Sequence, residues 1–366
     1  MRARHAIALF GSLFVLAATP TAATAQQQLR IVNGDPIAAP TVAPWSVFVD
    51  AGKTGVCSGT LIDPSRVLTT ATCVYDGDKL LAPQVFLAAT GVVRNDSGAD
   101  LSGLQARPVS AIRVHPGYGA ARYLLAGRDN VGDQSYAYDL ALLTLSSPFA
   151  VTAQVAPVAL AQSPPRIRSI VSIVGWGLPV FGAEEQFDIA RSMSARTTRA
   201  TLCADGQPSL LCMVSSRMSP CFGDNGAGVV TAARTLVAVH SFQDARCVAG
   251  RESGAISTTD GGVVQWLLGR DDPPLAPSAR RLPTIDFAGR GDREIVCRAP
   301  TWRGATKLRT LFVDRATQRT LKAGASRRFR PRGQDRRRRI YCVSVASNRG
   351  GVTESRSRHW VRVGVE

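Results

Sequence analysis

Eight cysteines stand behind an apolar leader, and that pairing narrows the fold more than any other feature of the chain. An even cysteine count after a secretory-type segment argues for four disulfides formed in an oxidising compartment. No Cys-x-x-Cys pair occurs, and one of the four histidines, His5, lies in the leader itself. A metal site is therefore not expected, and neither is a cofactor. Arg2 and Arg4, the apolar stretch 6–18 and the small-x-small triplet Ala23-Thr24-Ala25 mark residues 1–25 as a signal peptide. The apolar stretch falls short of the roughly 20 residues a spanning helix needs. No later run qualifies, so the expectation is a secreted, extracellular product without a transmembrane segment, beginning near Gln26.

From Ile31 to Arg270 short apolar stretches alternate with Gly, Pro and Asn/Asp clusters, the pattern of an all-β barrel or sandwich. Residues 140–145 and 170–174 read as strands, and 261–268 as a short helix with Val263, Val264, Leu267 and Leu268 on its apolar side. Residues 271–282, opening Asp271-Asp272-Pro273-Pro274, form a proline-rich linker. Residues 283–366 read as a separate all-β unit, with strands over 294–298, 308–313, 339–346 and 360–363. Cys297 and Cys342 fall mid-strand, which suggests an inter-sheet bridge.

Six ordered landmarks within residues 31–270 carry a resemblance. They are Ile31-Val32-Asn33-Gly34, the stretch Leu68-Thr69-Thr70-Ala71-Thr72-Cys73, Val114-His115-Pro116, Tyr138-Asp139-Leu140-Ala141-Leu142-Leu143, Gly175-Trp176-Gly177 and Cys221-Phe222-Gly223-Asp224-Asn225-Gly226. Together they resemble the chymotrypsin/trypsin family of serine peptidases. The resemblance implies a chymotrypsin-like double β-barrel over 31–270, preceded by a short activation peptide, 26–30, that is cut between Arg30 and Ile31. It implies disulfides Cys57–Cys73, Cys203–Cys212 and Cys221–Cys247, leaving Cys297–Cys342. Asp224 matches the residue that receives the new N-terminal ammonium. The triad positions fall on Thr72, Asp139 and Asn225, the oxyanion-hole N–H groups on Gly223 and Asn225, and the specificity pocket on Ser219, Ser241, Gln243 and Gly254. The tail resembles small immunoglobulin-like repeats of bacterial secreted proteins, on Cys297, Trp302, Gly304 and the stretch from Tyr341 to Asn348.

Two departures decide the expected chemistry. In an active member a serine attacks, a histidine takes its proton and an aspartate orients the histidine. Thr72 has no group that titrates near neutral pH and Asn225 offers no ionisable nucleophile. Losing such groups together costs about a millionfold in turnover. The sequence therefore reads as a degenerate, non-catalytic homologue, a pseudoenzyme acting as a binding protein. The alternatives are an active endopeptidase with a non-standard site, for which His240 beside Ser241 is the one histidine to consider, and a surface adhesion protein. Ser219 replaces the aspartate that selects basic side chains, and Gln243 replaces a glycine at the pocket mouth.

Charge is uneven. Of the net +17, residues 271–366 hold +14, from 23 Lys and Arg against 9 Asp and Glu. The densest run covers Arg327, Arg328, Arg330, Arg332 and Arg336 to Arg339. Such a surface attracts anionic polymers by counterion release. Sparse aromatic residues argue against nucleic acid. The partners expected are a protein or peptide in the barrel cleft and an anionic surface polymer on the basic domain. The Arg290-Gly291-Asp292 tripeptide carries no weight, and the sequon Asn95-Asp96-Ser97 matters only in a eukaryotic host.

Overall fold

Period-two burial builds the barrels. In Arg191–Thr198 every second residue, Arg191, Met193, Ala195 and Thr197, is buried, as are Val47 and Val49 in Ser46–Asp50. The computed structural model describes residues 31–52, 55–94, 99–119, 122–124, 134–177, 189–288 and 294–364. The signal and activation peptides, the sequon at Asn95 and the tripeptide at 290–292 lie outside the described residues.

The first barrel consists of β1 (Ser46–Asp50), β2 (Val56–Asp63), β3 (Arg66–Thr69), β4 (Leu87–Thr90), β5 (Gln105–Val114) and β6 (Ala141–Leu145). Its order is β6-β3-β2-β1-β4-β5, and it closes by pairing Ala141 with Val114. The second consists of β7 (Ile170–Gly175), β8 (Arg191–Thr198), β9 (Leu210–Val214), β10 (Gly228–Thr231), β11 (Thr235–Phe242) and β12 (Glu252–Ser257). Its order is β8-β7-β10-β11-β12-β9, closed by β8 against β9 through Arg196 and Val214. The chymotrypsin-like double barrel implied by the motifs is thus present. Leu61, Val67, Leu68, Leu140 and Leu143 fill the first core, which Trp176 and Trp266 cover. Ile31, Ile173, Met213, Val229 and Val237 fill the second. The helix α1 (Gly261–Leu267) follows. Among the described residues no helix is long and apolar enough to cross a membrane.

Ser58 staples the loop 221–226 of the second barrel to the first. Ser58 on β2 donates its N–H to Asn225 O (2.9 Å) and its hydroxyl to Gly223 O (2.9 Å), and accepts the Trp176 N–H (3.0 Å). The loop 221–226 is therefore held against the first barrel.

Two larger sheets make up the C-terminal module. One holds β13 (Thr284–Phe287), β14 (Ile295–Arg298) and β17 (Arg328–Phe329). The other holds β15 (Lys307–Asp314), β16 (Thr320–Gly324), β18 (Arg339–Ser347), β19 (Val352–Arg356) and β20 (Val361–Arg362). Cys297 on β14 is bonded to Cys342 on β18, so the fourth disulfide joins the sheets. Phe312 and Phe329 stack beside it, ring centroids 5.3 Å apart.

The proline-rich stretch 271–282 is exposed along much of its length but is tied down at Pro273, Ala276 and Pro277, which are buried. The Ala276 N–H donates to the Tyr138 hydroxyl (2.7 Å), and Ser278–Ala279 pairs with Trp302–Arg303. The module docks on the second barrel through β19. Gly206 N–H meets Glu354 O (2.9 Å), Ser209 N–H meets Val352 O (3.2 Å), and the Arg356 N–H donates to the half-buried Asp205 carboxylate (2.7 Å). Asn348 closes a turn with Gly350 and Gly351 and donates its amide to Leu275 O and Gly304 O, both at 2.9 Å.

Candidate functional site at the barrel junction

Disulfides place the two altered positions. Cys57–Cys73 ties β2 to the 3-10 turn Thr72–Val74, and Cys221–Cys247 ties down the loop that carries Asn225. Cys203–Cys212 braces the second barrel. All eight cysteines are paired.

Thr72, Asp139 and Ser241 come together. The buried Asp139 carboxylate accepts the Thr72 N–H (2.8 Å), the Thr72 hydroxyl (3.1 Å) and the Ser241 hydroxyl (2.7 Å). Burial pushes this carboxyl up to about 6, although the donors from Ser241 and Thr72 oppose the shift. The threonine thus satisfies the aspartate as an imidazole N–H would, without a lone pair basic enough to take a proton.

Asn225 is half-buried, and its amide oxygen has no hydrogen-bond partner among the described residues. No hydrogen bond joins its side chain to Thr72 or Asp139 among the described residues. Gly223 and Asn225 stand in the turn with their carbonyls taken by Ser58. No backbone carbonyl takes either N–H among the described residues, the condition an oxyanion hole requires.

Asp224 is fully buried, accepting the N–H groups of Gly177 (2.8 Å) and Cys221 (2.8 Å). Gly175-Trp176-Gly177 makes room for it. A Cβ on Gly175 would sit 2.1 Å from the Asp224 carboxylate, and one on Gly177 2.5 Å from its carbon. With no cation among its described partners, burial pushes the Asp224 carboxyl up to about 7. Ile31 is buried in the second core, and Ser219 N–H donates to Val32 O (3.1 Å), so the segment starting at Ile31 lies beside this loop.

In the pocket region the buried Ser219 turns its hydroxyl to Pro220 O (3.0 Å). The buried His240 donates its Nε2–H to Gln243 Oε1 (3.0 Å), and burial pushes its pKa down to about 4. His115 is similarly held at about 4, mainly by burial, and is stacked on Tyr138 at 4.5 Å. Both imidazoles are neutral at neutral pH. The sequence reading left aside Phe242, which also shapes this pocket. A bulge between His240 and Phe242 swings the ring over Gly254, where a Cβ would lie 2.1 Å from Cζ. Phe242 packs with Cys203, Ala204 and Cys212, filling space beside the glycine. Its only sequence signal was its place between Ser241 and Gln243. Among the described residues no group of three or more His, Cys, Asp and Glu side chains could hold a metal ion.

The geometry thus brings together an ordered carboxylate and two N–H groups free of backbone partners, beside a pocket region lined by Phe242 and Gly254. Comparison with known proteins agrees on the scaffold. Glandular kallikrein of Sus scrofa is 28% identical over 196 residues, covering 51% of this chain and 75% of that protein. Serine protease SP24D of Anopheles gambiae is 28% identical over 250 residues, covering 66% and 81%. Kallikrein 1-related peptidase b1 of Mus musculus is 34% identical over 134 residues, 37% of this chain, and the match spans only 47% of that relative. The family model described as Trypsin matches residues 31–267, spanning both barrels and all three triad positions, and the chain belongs to the trypsin family.

Proposed function

We propose that this trypsin-family chain is proteolytically inactive and works outside the cell as a binding protein, its double barrel joined to an immunoglobulin-like module. The observation that carries this reading is the Asp139 carboxylate, whose side-chain donors are hydroxyls of Thr72 and Ser241 instead of an imidazole. Asn225, at the nucleophile position, has an amide that neither attacks a carbonyl nor passes on a proton. His240 does not substitute for the base. Its Nε2–H is engaged by Gln243, and burial keeps its proton affinity far below what a general base near neutral pH needs. The cleft would hold a protein or peptide, and the basic module an anionic polymer.

The test is hydrolysis of a mixed peptide library by chain purified with Ile31 at its N-terminus, with labelling by a fluorophosphonate probe. Wild type is expected to be silent, and a Thr72→His/Asn225→Ser variant to label. Turnover by wild type above that of a Thr72→Ala control would sink the reading.

A further inference from the structure

Three concavities lie side by side on the C-terminal module. The first, about 810 Å³, is lined by Arg319, Lys322, Arg328, Arg330, Arg332 and Arg338. The second, about 700 Å³, adds Arg336, Arg337 and Arg339 and shares Arg338 and Gln334 with the first. The third, about 240 Å³, adds Arg356, Arg358 and Trp360 and shares Arg315 with the second. Shared walls make them successive stretches of one track, along which twelve cations face three carboxylates. Those carboxylates are already engaged: Glu294 by Arg328 and Arg330, Asp314 and Asp335 by Arg338.

The track has a fixed frame. Asp314 and Asp335 are buried, and they hold Arg338 at the boundary between the first two concavities. Asp335 also accepts the Arg332 N–H (2.8 Å), which sets the turn carrying the arginine run. Lys322 is pinned to the Arg328 carbonyl at 2.7 Å. Arg315 and Arg339 lie over the Trp360 ring, 5.5 and 4.8 Å from its centroid. Arg319, Arg332, Arg336, Arg337 and Arg358 have no carboxylate partner among the described residues.

From this we infer that the module binds a linear acidic polysaccharide, bearing sulfate, carboxylate or phosphate groups, along the track from Arg319 through Arg338 to Arg358. A chain with charges repeated along its length can meet all three concavities at once, whereas a compact anion would meet one. Single-stranded nucleic acid is held by successive aromatic platforms. Among the described residues, Phe329 and Tyr341 of the track are buried, and the exposed Trp360 is already covered by two guanidiniums, so no row of open phenyl or indole platforms runs along it. The disulfides also place the chain in an oxidising compartment, where surface glycans are met. The inference rests on the binding role given above to the module and not on the state of the triad.

The experiment uses full-length protein and labelled heparin dodecasaccharide, with a DNA duplex of matched charge as competitor. An Arg319→Gln/Arg336→Gln/Arg337→Asn variant removes exposed track charges. Asn is chosen because residue 337 has a φ of 68°. An Arg166→Gln/Arg196→Gln/Arg251→Gln variant removes equal charge from the barrels, and thermal melts verify that both fold. The expected result in about 0.15 M salt is at least a tenfold weaker Kd for the track variant and less than a threefold change for the barrel variant. The slope of log Kd against log salt should fall by about two to three for the track variant. Three results would overturn the inference: no heparin binding by wild type, equal losses in both variants, or duplex DNA binding as tightly as heparin. Thr72→His/Asn225→Ser protein should bind heparin like wild type. Peptide turnover by wild type would therefore refute inactivity while leaving the glycan track standing, and loss of glycan binding would leave inactivity untouched.

Discussion

Phe242 and Gly254 form the contact at residue scale with the clearest consequence. The ring lies where a Gly254 side chain would be, its Cζ 2.1 Å from an ideal Cβ. Gly254→Ala should therefore destabilise the fold by about 1–3 kcal/mol through overpacking. In a Phe242→Ala background the same change should cost almost nothing, because the clash partner is gone. Urea unfolding of the four proteins in this cycle measures the difference, and additive effects would contradict the contact. The same ring bears on the repaired enzyme. Phe242→Ala added to Thr72→His/Asn225→Ser should raise kcat/KM most for substrates with a bulky side chain before the cut. A kinetic series over substrates that differ only in the residue before the cut checks it.

The loop 221–226 and the segment beginning at Ile31 act together at the scale of elements. Burial raises the Asp224 carboxyl from 3.8 to about 7, so the folded state holds a proton there that the unfolded chain releases. The sign follows from linkage: this group's stability is fully present below pH 3.8 and is lost as pH rises through about 7. An α-ammonium at Ile31 would keep the carboxylate paired and remove that loss. Protein beginning at Ile31 should gain stability over full-length protein as pH rises from 4 to 7, measured by urea unfolding at a series of pH values. A pH-independent offset would mean that the ammonium does not reach Asp224. The Asn348 turn is a second testable element. Its amide ties residues 275 and 304 to the 348–351 turn, so Asn348→Ala should cost about 1–3 kcal/mol, read from thermal unfolding.

At the scale of the whole molecule, module and barrels share an interface that partly buries Asp205 and Glu354. Burial raises Asp205 to about 6, against donors from Arg356 and Ser355. Its contribution to stability is lost as pH rises from 3.8 through about 6, and nothing further changes above. His115 and His240, both lowered to about 4, act in the opposite sense, because the unfolded chain takes up their protons as pH falls below 6.5. The wild-type profile mixes these effects, but a difference profile does not. Asp205→Asn should become progressively more stable relative to wild type between pH 4 and 6, then hold a constant difference, by calorimetry at stepped pH. A flat difference profile would show that this carboxyl does not titrate between those limits.

Much of the molecule was legible in its residues. Short apolar stretches between Gly, Pro and Asn/Asp clusters predict barrel strands because each must span one core between turns, and Cys73 and Cys221, within four residues of Thr72 and Asn225, anchor the altered positions without any structure. Which residues stand at the triad positions is local chemistry, written in six-residue stretches. The tertiary structure alone decided the rest. The direction of Phe242 depends on a bulge, which shifts side-chain facing by one residue and has no local signature. The packing of 271–282 and the docking of β19 on Asp205 join residues about 150 apart in the chain. A run of arginines becomes a track only because β15, β18 and the 356–360 segment bring Arg315, Arg339 and Arg358 to one surface. Short motifs carry the identity of reacting groups, while the direction of a side chain and the company it keeps are settled when distant strands close.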